Sequence, residues 1–152
     1  MKIKNYIFCF SLLTASLSAV AASPYKMPLQ PLADKPGLLK IKGFGGRVFY
    51  VPSSLSNIKW GYLPNSSDIP VLTVPSGATV VFDTVSHEGI IEDQGRNPVQ
   101  YFGSHGVPSR MVLNDAIAIT QSNLPHDFAK DGPHIVTGPV AIQGAEPGDV
   151  LK

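Results

Sequence analysis

Val71-Leu72-Thr73-Val74-Pro75-Ser76-Gly77-Ala78-Thr79-Val80-Val81-Phe82-Asp83-Thr84 reads as strand, turn, strand. Residues 71–74 and 78–84 are rich in β-branched side chains, which suit a pleated surface. Between Val80 and Phe82 the apolar pattern has the period of two expected of a half-buried strand. Pro75 suits position i+1, and Gly77 position i+3, of a type I turn between the runs. The same grammar returns near the end of the sequence. Residues 140–143 are strand-like, and Glu146-Pro147-Gly148-Asp149 fits a type II turn, with Pro147 at i+1 and Gly148 at i+2. Val150-Leu151-Lys152 then begins a further strand.

Residues 38–42 and 47–51 predict two more strands, joined by a turn at Gly43-Phe44-Gly45-Gly46. Those glycines are not a dinucleotide fingerprint, because the third glycine and the following helical pattern are missing. Ahead of them, residues 23–37 carry Pro24, Pro28, Pro31 and Pro36 and read as an extended lead-in. Residues 1–22 read as an export signal. Lys2 and Lys4 start it, an apolar run follows to Val20, and Ala19-Val20-Ala21 supplies the small-x-small cleavage pattern. The expected location is therefore periplasmic or secreted, with no membrane association after cleavage. Cys9, the only cysteine, lies in this leader, so the mature chain has neither disulfides nor thiol chemistry.

Composition points the same way. The 152 residues include 14 glycines and 14 prolines, about 18% together against roughly 12% in average usage. Such an excess without a repeat favours turns and short strands and excludes a helical bundle or coiled coil. Charged residues are 15% and mean hydropathy is +0.11, which argues against disorder. A formal charge of +1 with no basic run argues against nucleic-acid binding through phosphates. The expected fold is mainly β, a sandwich- or barrel-like body with long loops. Residues 86–130 read mostly as loop, with 111–120 open between helix and strand. The final strand stops after three residues, and an unpaired strand exposes ladder groups that need a partner. Either another part of the fold pairs with it late, or residues 38–152 are the N-terminal portion of an incomplete domain truncated at the C-terminus, which is the expectation.

Several chemistries are missing. Gly103-Ser104-His105-Gly106 has the wrong spacing for a nucleophile elbow. His87-Glu88 is not followed by a second histidine at zincin spacing, and Ser53-Ser54 and Ser66-Ser67 lack a glycine-rich setting. Carboxylates and histidines remain: Asp83, His87, Glu88, Glu92, Asp93, His105, His126, Asp127, Asp131 and His134. Such groups can hold a divalent metal or move protons, although on loops they are commonly solvated or turn-capping. Trp60 reads as a core or interface residue rather than a substrate platform.

Asp131-Gly132-Pro133-His134-Ile135-Val136-Thr137-Gly138-Pro139 followed by Gly144-Ala145-Glu146-Pro147-Gly148-Asp149 closely resembles the acetamidase/formamidase family. Trp60-Gly61-Tyr62, Ile69-Pro70-Val71-Leu72-Thr73-Val74, Ser76-Gly77, Thr79-Val80 and Ser86-His87 are similar to it too, so the resemblance spans residues 51–152. It implies a β-rich hydrolase that cleaves the carbon–nitrogen bond of small linear amides, releasing ammonia and a carboxylate. It also implies a longer chain, homo-oligomers and a divalent metal (zinc or calcium).

The candidate site is His134 and His87, as catalytic residues or metal ligands, with Asp83 and Thr137 in support. Gly138 and Pro139 shape the backbone there, while Glu146 and Asp149 belong to the turn. Two departures stand out. Lys59 occupies a position where the most similar branch commonly carries histidine, and Leu63-Pro64 replaces a nearby aspartate. The alternative is a non-catalytic periplasmic β-module that binds a small ligand or partner, or a remnant without a stable fold.

Overall fold

The computed structural model describes residues 31–40 and 46–151. The predicted leader, most of the lead-in and Gly43, Phe44 and Gly45 lie outside the described residues. Among the described residues, seven short strands and two short helices follow one another, so the fold is mainly β. Strand β1 (Gly37–Leu39) pairs antiparallel with β2 (Val48–Val51), the arrangement of the predicted hairpin. On its other edge β2 pairs in parallel with β5 (Thr79–Phe82), Val48 opposite Thr79 and Val51 opposite Phe82. Buried Val48, Tyr50 and Val51 explain this central place, since a strand covered on both faces is apolar in nearly every position.

Two further sheets have two strands each. Strand β3 (Ile58–Trp60) runs antiparallel to β6 (Ile135–Thr137), with Trp60 opposite Ile135. Strand β4 (Leu72–Val74) runs parallel to β7 (Val140–Ile142). The strand–turn–strand of residues 71–84 is thus real, but its strands belong to different sheets. The turn is displaced by one residue: the Ala78 amide donates to the Pro75 carbonyl at 3.2 Å, which puts Pro75 at i and Gly77, with φ of 77°, at i+2. The Glu146–Asp149 turn closes as its sequence predicts. The Asp149 amide reaches the Glu146 carbonyl at 3.0 Å and Gly148 has φ of 103°. Val150 and Leu151, expected to open a strand, are outside any strand and exposed.

Residues 86–130 hold more regular structure than their composition suggests. Helix α1 (Pro98–Ser104) begins at Asn97, whose side chain accepts the Gln100 amide at 3.1 Å, with Pro98 in the first turn. Helix α2 (Asn114–Gln121) resolves residues 111–120 in favour of helix after a short 3-10 turn at Ser109–Met111. Its buried face is Ala116 and Ile119. These pack with Ile58 and Trp60 of β3, Val85 and Ile90 in one core, and Leu113, Leu124, Phe128 and Ile135 lie against it.

Candidate functional site

His87 and His134 come from distant parts of the chain and meet edge to face, their ring centroids 5.2 Å apart. The positions follow from the strands that precede or follow them. After β5 the Asp83 amide donates to the Val51 carbonyl at 3.0 Å, continuing the ladder for one more residue. Val85 then enters the core, and the chain turns at His87, whose carbonyl accepts the Ile90 amide at 2.9 Å. Fully buried Ile90 anchors that turn. On the other side, the His134 carbonyl accepts the Gly61 amide at 2.9 Å, extending the β3–β6 pairing.

Thr137 and Asp83 join the two sheets. The Thr137 hydroxyl donates to the Asp83 carbonyl at 2.8 Å, while the Asp83 carboxylate accepts the hydroxyl of Tyr50. Tyr50 Oη in turn accepts the Leu32 amide at 2.8 Å. The four residues singled out from sequence thus meet as two pairs, His87 with His134 and Thr137 with Asp83.

Burial and donation to Asp83 push the Tyr50 hydroxyl up to about 12. The sign follows from linkage. A phenol whose folded pKa is raised stabilises the fold fully below its unfolded value near 10. That contribution is lost as pH climbs toward 12. We expect on the order of 2 kcal/mol of the wild-type stability to disappear over that window. Tyr50→Phe, about 1–2 kcal/mol less stable at neutral pH through its lost hydrogen bonds, should lack this alkaline loss. Urea unfolding at pH 8, 10 and 11.5 checks both; parallel pH profiles for the two proteins would refute the assignment.

Glu88 is the residue whose role spacing did not reveal. Its Oε1 lies 3.8 Å from His87 Nε2, offering an imidazolium a counter-charge. Its Oε2 accepts the Tyr101 hydroxyl at 2.7 Å and the Gln94 amide at 2.7 Å. These two bonds hold the Glu88 carboxyl below the ordinary glutamate range. Ser86 Oγ accepts the Glu88 amide at 3.2 Å, a local Ser-x-Glu signal that sequence does offer. Tyr101 and Gln94 carried no such cue.

The implied metal can be weighed against these donors. His87 and His134 offer two ring nitrogens, whereas a catalytic zinc takes three protein ligands and calcium six to eight oxygens. No group of three or more His, Cys, Asp or Glu side chains gathers among the described residues. The described residues alone do not build a zinc or calcium site. Lys59, at the position of the expected histidine, pairs with Asp68 at 2.5 Å. That bond and the Asn65 amide hold Asp68 below the usual carboxylate range.

Trp60 belongs to the core. It is 3% exposed, stacks on His126 at 4.0 Å and meets Phe128 edge-on at 5.6 Å. A cavity of about 440 Å³ lies beside this cluster, lined by His126, Phe128, Asp131 and Pro133, next in sequence to His134. A second, of about 250 Å³, is lined by Val85 and Ser86, next to His87. Neither cavity is lined by the paired histidines themselves. Comparison with protein-family models, curated proteins and solved structures gave no match.

Proposed function

We propose that this protein is an exported amidohydrolase of the acetamidase/formamidase kind, cleaving the carbon–nitrogen bond of linear amides. The observation that carries the reading is the contact between His87 and His134, supported by the resemblance of the sequence around both. Amide hydrolysis needs an activated water and a protonated leaving nitrogen. In this reading His134, the more exposed ring, takes a proton from water as its oxygen attacks the carbonyl. His87, faced by Glu88, gives a proton to the nitrogen as the carbon–nitrogen bond breaks. The carboxylic acid so formed gives its proton to the ammonia, so that carboxylate and ammonium leave, and a proton passing from His134 to His87 restores both rings. Asp83 and Thr137 act as positioning residues through the strands they tie together. The three sheets are taken as parts of a sandwich- or barrel-like framework, and homo-oligomers, as the resemblance implies, would complete it.

Lys59 favours one other reading. A cation paired with Asp68 stands where the resemblance calls for a neutral imidazole, as a non-catalytic β-module binding a small ligand would permit.

Ammonia release from formamide and acetamide by the purified protein separates the two. His87→Ala and His134→Ala should each reduce turnover about 100-fold or more while leaving the thermal transition in place. Activity lost on adding a chelator would report a divalent metal. Wild-type protein that folds cooperatively yet releases no ammonia would leave the binding module standing.

A further inference from the structure

The 250 Å³ cavity lies between α1, the Ser109–Met111 turn and α2, and its wall includes Ser86, next in sequence to His87. Val85, Phe102, Val107, Met111, Leu113 and Ala116 surround it, and Ser86 supplies its only polar side chain among the described residues. Ser86 Oγ is itself engaged by the Glu88 amide at 3.2 Å, which ties this wall to the turn that carries His87. Among the described residues, no charged group lines the space. Apolar cavities of roughly 150 Å³ take up benzene and exclude water. The larger volume here suits a substituted ring or an alkyl chain of about four to six carbons.

We propose that this cavity is the acyl pocket of the histidine site. It receives the apolar acyl chain of a primary amide and favours medium-chain amides over formamide and acetamide. The assignment rests on the amidohydrolase reading above. The chain lies among Val85, Phe102 and Ala116, and the carboxamide points back past Ser86 toward His87. Each methylene buried there strengthens binding about fourfold. A charged acyl group meets no partner in the pocket and is rejected.

The test uses the full chain, with benzene as an inert probe and hexanamide and acetamide as substrates. Benzene should saturably shift the methyl NMR signals of Val85, Val107, Met111 and Leu113. Hexanamide should exceed acetamide in kcat/KM by tenfold or more. Val107→Trp, at a half-buried wall position, should abolish the benzene shifts and bring hexanamide down to the acetamide level. Met111→Trp, at a side chain 49% exposed, is the second variant should the first melt early. Acetamide turned over by a protein that gives no saturable benzene shift removes the acyl pocket alone. Benzene bound without turnover of either amide removes the amidohydrolase reading, and the acyl assignment with it.

Discussion

Trp60→Ala is expected to cost about 3–5 kcal/mol of unfolding free energy. Folded domains of this size hold roughly 5–15 kcal/mol in all, so the variant should be near the edge of folding at 37 °C. Trp60 is the largest side chain of the main core, packed with Ile58, Ile90, Ala116 and Ile119 and flanked by His126 and Phe128. Its removal empties a space bounded by β3, α2 and the segment leading to His134. The β3 wall is held in its ladder with β6, which limits how far the walls can move inward. Trp60→Phe tests the cause. It keeps part of the ring and deletes the indole N–H, which is buried without a partner among the described residues. A phenylalanine should therefore recover well over half of the loss. Urea unfolding followed by far-UV circular dichroism is the measurement, since Trp60 is the only tryptophan and fluorescence would vanish with it. A loss under 1 kcal/mol for Trp60→Ala would mean that this core is not what holds the sheets together.

The second large effect is expected from Gly61→Ala, at about 2–4 kcal/mol. Gly61 has φ of 96°, where side chains other than hydrogen are strained. A Cβ there would come within 2.6 Å of Asp131 Cβ and 3.1 Å of the Gly132 carbonyl oxygen. Relief requires Gly61 and Gly132 to part, yet the Gly132 amide donates to the Gly61 carbonyl at 3.1 Å and the Gly61 amide to His134 at 2.9 Å. The damage should therefore reach His134 and its contact with His87. Adding Asp131→Gly removes the nearest clashing atom but not the backbone strain. The double variant should recover about half of the lost stability, measured in the same urea titrations. A double variant no better than Gly61→Ala would place the whole cost in the backbone dihedral.

The sequence makes some of this legible and conceals the rest for physical reasons. Period-two patterning and β-branched runs mark β2, β4, β5 and β7, because alternation is local. Pairing is not local. Nothing in residues 71–84 says that Val74 lies opposite Ile142 while Phe82 lies opposite Val51. Helix α1 is hidden in a glycine-rich stretch although Asn97-Pro98 is a recognisable helix start. With only seven residues it presents too few turns to show a period. The turn at Pro75 slips by one because proline suits more than one turn position while the positive φ falls on Gly77. For the site, residue type and resemblance select His87, His134, Asp83 and Thr137. The tie between Thr137 and the Asp83 carbonyl involves a main-chain atom, which no side-chain inventory can suggest.

Strand order has a consequence for how the protein is made. Ile58 pairs opposite Thr137 and Leu72 opposite Val140, so β3 and β4 leave the ribosome well before the segments that complete them. Until then their main-chain donors and acceptors are open to any passing strand, including those of a neighbouring nascent chain. Contacts so distant in sequence also slow the final closure, toward the millisecond-to-second range. Yield in a cell should therefore depend on translation speed and chaperone supply more steeply than on the equilibrium stability of the finished protein.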